Sequence, residues 1–243
     1  MSDRDALMYI YENTQMHPLG WNVETNWNTE KRCSTWSGIR IDAGAHVTSV
    51  VLSENRLMGI LLETDRLRQL PNLRTLFLNS NFLKGAIPPC IGTVTSLVEL
   101  NLAWNEFVGE IPETIYNCTS LTVLRLDNNR LTGVVSESMR NLQQLRHFDV
   151  SRNDLTGVIP MIGGESKFPQ LGVCNFLPGN NFSGHVPADA IQFKTWCSTL
   201  ESARKEQEDR IHHHSHPDHH HHEGHHTHHE HRKSHHAHHH SKH

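Results

Sequence analysis

The sequence has no run of 18 apolar residues, and its opening stretch MSDRDALMYIYENTQ carries two early aspartates instead of an apolar leader. A membrane-spanning helix is therefore excluded, and the chain as written is expected to stay in the cytosol. Cysteine is scarce: Cys33, Cys90, Cys118, Cys174 and Cys197 are scattered and form no CxxC pair. That excludes a disulfide scaffold and a zinc module, and leaves reduced, mostly buried thiols as the expectation. Positive charge is not in excess either. The formal net charge is -4 with histidine neutral, and no Lys/Arg stripe is interleaved with aromatics, so nucleic acid is not an expected partner. No GxSxG, P-loop or HExxH motif occurs, so no catalytic set is assigned and an enzyme is not expected.

What is present divides into two textures. From His212 to His243, 19 of 32 residues are histidine, with no apolar periodicity, so this tail is expected to be disordered. The remaining 211 residues have ordinary apolar content, enough for one substantial core.

That part repeats itself. Asn55, Asn81, Asn105, Asn129, Asn153 and Asn180 recur at intervals of 26, 24, 24, 24 and 27 residues. Around them runs the frame LxLxxNxLxGxIP, filled by Leu76, Leu78, Asn81, Leu83, Gly85, Ile87 and Pro88, and again by Leu100, Leu102, Asn105, Phe107, Gly109, Ile111 and Pro112. The LxL step alternates, as a short strand demands, burying leucine on one face and displaying variable residues on the other. An asparagine directly after the strand can give two amide donors and one acceptor to the backbone of adjoining turns, so stacked asparagines make a ladder. Glycine and proline then turn the chain back. A single coil of this length cannot bury its own leucines; a stack of coils closes a continuous core and needs capped ends. The frame predicts strands near residues 76, 100, 124 and 148.

With these motifs the chain resembles leucine-rich repeat proteins of the 24-residue plant and protist type, over about residues 5 to 198. The resemblance implies an α/β fold: a right-handed solenoid with a parallel sheet on its concave face and a helical N-terminal cap. ALMYIYENT, GWNVETNW and CSTWSGI are similar to that cap, with Trp21, Trp27 and Trp36 sealing the first coil. The family's cap closes with a second cysteine where this chain has Ile41, which removes the cap disulfide and agrees with a cytosolic setting. The domain reading is a cap over 1–45, a repeat array with its C-terminal cap over 46–198, a charged helix or linker over 199–211 and the His-rich tail over 212–243. Ser136 replaces the proline of the fourth coil, which predicts a looser turn there. MIGGESKFPQL, residues 161–171, adds length and reads as a bulging loop, while Phe193 and Trp196 are expected to plug the open end of the core.

Function is expected on the displayed face of the strands. Column by column, Phe77, Trp104, Arg125 and Arg152 have no duty in the repeat frame and belong to types that dominate protein contacts. His147, Asp127 and Asp149 are expected to form a polar margin, and a surface ion pair of Arg125 with Asp149 is the alternative reading of those two. The expected role is a non-enzymatic scaffold holding a partner protein on the concave face, suited to a cytoskeletal or flagellar assembly. Two other readings compete. A metal buffer or sensor would use His219, His220, His221, His222, His225 and His226 for Zn, Ni or Cu, since imidazole suits these ions and no cofactor is otherwise required. A secreted or surface recognition protein would carry glycan at the sequons of Asn117 and Asn181. Acid would also turn the tail strongly cationic.

Overall fold

The computed structural model describes residues 2–62, 66–160, 168 and 170–183. The 161–167 part of the expected loop, Phe193, Trp196, the 199–211 segment and the histidine tail lie outside the described residues.

The chain opens with helix α1 (Asp3–Asn13). The Asp5 carboxylate accepts the Ser2 backbone N–H at 2.7 Å, and that bond holds the Asp5 carboxyl below its usual range. Asp3 accepts the Val47 N–H at 2.6 Å, so the start of α1 is fastened to the first coil. Behind the helix Trp21, Trp27 and Trp36 are buried, with ring centroids 4.9 Å and 4.8 Å apart in sequence. Burying an indole strands its N–H unless an acceptor is supplied. Here the carbonyls of Thr14, Ser37 and Lys31 supply one each.

Two sheets follow, and four consecutive coils contribute a strand to each. The long sheet takes β1 (Ile39–Ile41), β2 (Val47–Val51), β4 (Thr75–Phe77), β6 (Glu99–Asn101), β8 (Val123–Arg125), β10 (His147–Asp149) and β11 (Val173–Asn175), in that order. β1 is antiparallel to β2 and all other neighbours are parallel. The second sheet is β3 (Met58–Ile60), β5 (Phe82–Ala86), β7 (Glu106–Glu110) and β9 (Arg130–Thr132), all parallel. The strands expected near 76, 100, 124 and 148 are thus β4, β6, β8 and β10. Short 3₁₀ turns such as Pro89–Thr93, Glu113–Asn117 and Glu137–Asn141 complete the coils.

Register explains the core. Leu76, Leu100, Leu124, Phe148 and Cys174 stand in one row across the long sheet, each at most 2% exposed. Cys118 and Cys174 are free and buried, Cys90 is buried as well, and burial pushes the Cys118 thiol up to about 11. Cys33 is also free, and Ile41 is exposed on β1.

The asparagine of each coil reaches back to the coil before it. Asn105 donates to the Leu78 carbonyl at 3.0 Å and the Leu102 carbonyl at 3.1 Å, and accepts the Leu83 N–H at 3.0 Å. Asn81, Asn129, Asn153 and Asn180 repeat the pattern. Asn55 exchanges hydrogen bonds with the Val23 backbone, so the ladder runs on into the cap. All six are buried.

The turn at Ser136 is not looser. Its φ of -67° and ψ of 146° lie beside the -60° and 129° of Pro112. The hydroxyl accepts the Ser138 N–H and donates to Glu113, so a side-chain cap does what the proline ring does elsewhere. Glycine is needed at Gly157, where φ is 78° and a Cβ would lie 2.7 Å from Val134 Cγ1.

Asn105→Ala leaves the buried Leu83 N–H without its acceptor and takes one of two amide donors from each of the Leu78 and Leu102 carbonyls, which Asn81 and Asn129 still reach, a loss of about 1–3 kcal/mol. A urea titration is expected to place the variant about 1–3 kcal/mol below wild type; a difference under about 0.5 kcal/mol would contradict the ladder's role.

Candidate functional site

The solvent face of the long sheet is built from columns that register defines. Val51, Phe77, Asn101, Arg125, Asp149 and Asn175 stand side by side in one. Thr75, Glu99, Val123, His147 and Val173 form the neighbouring column. A third group leaves the turn just before each ladder asparagine: Glu54, Ser80, Trp104, Asn128, Arg152 and Gly179.

This last group has a property that the frame conceals. The five non-glycine members have φ between 55° and 58°, and Gly179 has φ 95°. The turn into the ladder demands the left-handed region, which glycine and asparagine tolerate and a bulky side chain resists by roughly 1–2 kcal/mol. Trp104 and Arg152 therefore occupy these positions against local preference, contrary to the expectation that the frame asks nothing of them. Trp104 is 58% exposed, so packing does not repay the strain.

The remaining expected residues are arranged differently from a polar margin. Asp127 and Asp149 are 3% and 7% exposed, in the floor of the face. Arg125 does not pair with Asp149. Its Nε and Nη2 each donate to Asp127 at 3.1 Å, a two-pronged bond within one coil, and Asn128 adds a third donor at 2.8 Å. Asp149 accepts from the Ser151 N–H, the Ser151 hydroxyl and Asn175 Nδ2. Both carboxylates are thus saturated from within, which fixes Arg125 with its Nη1 edge unengaged. Phe77 and Arg125 are half-buried, and Arg152 is exposed.

His147 lies half-buried beside this network, with Nε2 shielded from water and without a hydrogen-bond partner. Burial lowers its pKa from 6.5, the Arg125 charge lowers it further, and Asp149 and Asp127 oppose the shift. Sequence reasoning passed over Glu99, whose carboxylate accepts the Thr75 hydroxyl at 3.3 Å across the β4–β6 pair. Its place one residue before the inward Leu100 is the signal that marks it as outward. Among the described residues no group of three or more His, Cys, Asp or Glu side chains is placed to hold a metal ion, and no helix is long and apolar enough to cross a membrane. The six tail histidines expected to bind metal lie outside the described residues.

Comparison with known proteins agrees with this geometry. A family model described as Leucine rich repeat matches residues 112–160, and a second, described as Leucine Rich Repeat, matches 72–94 and 96–118. Among solved structures, PEPR1–AtPEP1 is 30% identical over 77% of this chain and 26% of its own, with a TM-score of 0.66. A plant ice-binding protein is 26% identical over 79% of this chain and 60% of its own, with a TM-score of 0.67. The BIR3–SERK2 complex of Arabidopsis thaliana is 25% identical over 74% of this chain and 94% of the matched chain, with a TM-score of 0.58. The chain thus spans about a quarter of the length of the first of these and three fifths of the second. No curated protein matches.

The lowered pKa of His147 has a stability consequence. The folded state favours the neutral ring, so the stabilisation is complete above the unfolded value of 6.5 and is lost as pH falls from there through the lower folded value. Wild type is therefore expected to lose more melting temperature between neutral and mildly acid pH than His147→Gln, as followed by circular dichroism; parallel losses would contradict the environment described.

Proposed function

Since the chain is a leucine-rich repeat protein, we propose that it is a non-enzymatic scaffold that holds a partner protein against the outer face of its long sheet. The family is generally an interaction fold, and PEPR1–AtPEP1 and BIR3–SERK2 are complexes with peptide or protein partners. The observation that carries the reading is Trp104: an indole held more than half exposed, at a backbone angle that disfavours it. Contact hot spots are enriched in Trp and Arg, and here Phe77, Arg125 and Arg152 lie on the same face. Arg125, fixed by its fork to Asp127, would lose little freedom on binding. A reducing, cytosolic setting is part of the proposal and rests on Cys33 having no disulfide.

Affinity purification with wild type and with the double variant Phe77→Ala, Trp104→Gly tests this. Glycine enters the left-handed position freely, so the variant is expected to melt no more than a few degrees below wild type while losing its co-purifying protein. An unchanged set of captured proteins would overturn the proposal.

A separate role in metal binding is carried by composition alone, 19 histidines in 32 residues. Calorimetric titration with Zn²⁺ is expected to show binding to the full chain and none to a chain ending at Ile211; equal binding by both would remove the tail from consideration.

A further inference from the structure

The second sheet has an outward face that the scaffold reading does not use. Leu83, Phe107 and Leu131 are fully buried, so the residues on either side of each point outward. Five aliphatic side chains on this face or at its margins, Ile60, Leu62, Val108, Val134 and Val158, are exposed, from 42% for Val108 to 62% for Val158. Aliphatic exposure gathered on one sheet marks a contact surface. Along β5, β7, β9 and the coil after Asn153, the outward charged residues are Lys84, Glu106, Glu110, Arg130 and Asp154. Four of them make a row whose sign alternates from coil to coil: Lys84, Glu106, Arg130, Asp154. Lys84 Nζ and Arg130 Nη2 reach the same Glu106 carboxylate, at 4.0 Å and 3.5 Å, so two cations share one anion. Asp154, whose N–H bonds the Leu131 carbonyl, stands exposed at the far end. Glu110 lies off the row, beside Thr132.

An alternating row of even length is its own complement. Turned end for end, it brings unlike charge to every position, which no uniformly basic or acidic surface does. We propose that this face joins two copies of the chain in a symmetric dimer, with the dyad crossing the row between Glu106 and Arg130. Lys84 then opposes Asp154 of the second copy, and Glu106 opposes Arg130. Val108, beside Arg130 in register, lies at the dyad against its own equivalent. Ile60 and Leu62, toward the Lys84 end, meet Val134, toward the Asp154 end, so aliphatic faces aliphatic. The face is small, which makes the dimer reversible and of moderate affinity. None of these residues belongs to the long sheet, so each copy keeps its own partner-binding face, and a bivalent partner is held by two at once.

Sedimentation velocity on the full chain tests this over a concentration series, with EDTA present so that metal on the histidine tail cannot drive association. Wild type is expected to pass from monomer to dimer in the micromolar range. Lys84→Glu and Asp154→Lys each act twice in a symmetric pair and are each expected to raise the dissociation constant at least about tenfold. Combined, they restore unlike charge across the dyad and are expected to return it to within about threefold of wild type. Val108→Asp sets two carboxylates face to face and is expected to leave only monomer. Phe77→Ala and Trp104→Gly, on the long sheet, are expected to change nothing. All three substituted positions on the second sheet are exposed, so the fold is expected to stand, as circular dichroism checks. A wild type that stays monomeric throughout, a dimer that survives Val108→Asp, or no recovery in the double variant would overturn the proposal. So would a dimer lost with Trp104→Gly or on truncation at Ile211, which would move the contact to the long sheet or the tail.

Discussion

A buried carboxamide that must satisfy backbone groups in two coils at once is the constraint on which the rest of the molecule depends. Leucine burial is non-directional and would tolerate coils that slide over one another. The ladder from Asn55 to Asn180 does not tolerate this, because a displaced coil leaves amide N–H groups and carbonyls unpaired where water cannot reach. Hydrophobic burial holds the stack together, and the amides set its register. The bonds of Asn55 to Val23 carry the same register into the tryptophan-rich cap.

Because the coils cannot slide, their outward side chains line up in straight columns, and the chemistry of the face becomes a question of which residues the columns set side by side. On the C-terminal half the answer is a closed network. Arg125, Asp127 and Asn128 satisfy one another, as do Asp149, Ser151 and Asn175. On the N-terminal half no such network forms: Glu99 accepts only the Thr75 hydroxyl at 3.3 Å, and Glu54 is exposed. The difference arises from side chains alone, on strands whose backbone pairing is equivalent.

Much of the architecture was legible in the sequence because the repeat frame names its own structural positions: the strands near 76, 100, 124 and 148, the ladder, and the columns between the leucines. Three matters were not. The left-handed turn before each asparagine is masked because Glu, Ser, Trp and Arg fill four of its six positions, with Asn128 and Gly179 at the others. The choice of Asp127 over Asp149 as the partner of Arg125 depends on rotamers, which spacing does not reveal. Ser136 looked like the loss of a proline, yet its hydroxyl performs the same restraint through hydrogen bonds. The second sheet went unforeseen as well, since its strands fall within a segment that the frame describes as turn.

The left-handed position has one more implication. Because the turn itself prefers glycine or asparagine there, the site is a dial in every coil between rigidity and display. Gly179 sits at one extreme and Trp104 at the other. A lineage of such chains could alter what it recognises by drifting at these six sites while its interior stays untouched, and each gain in recognition would be taken from the margin of the coil that carries it.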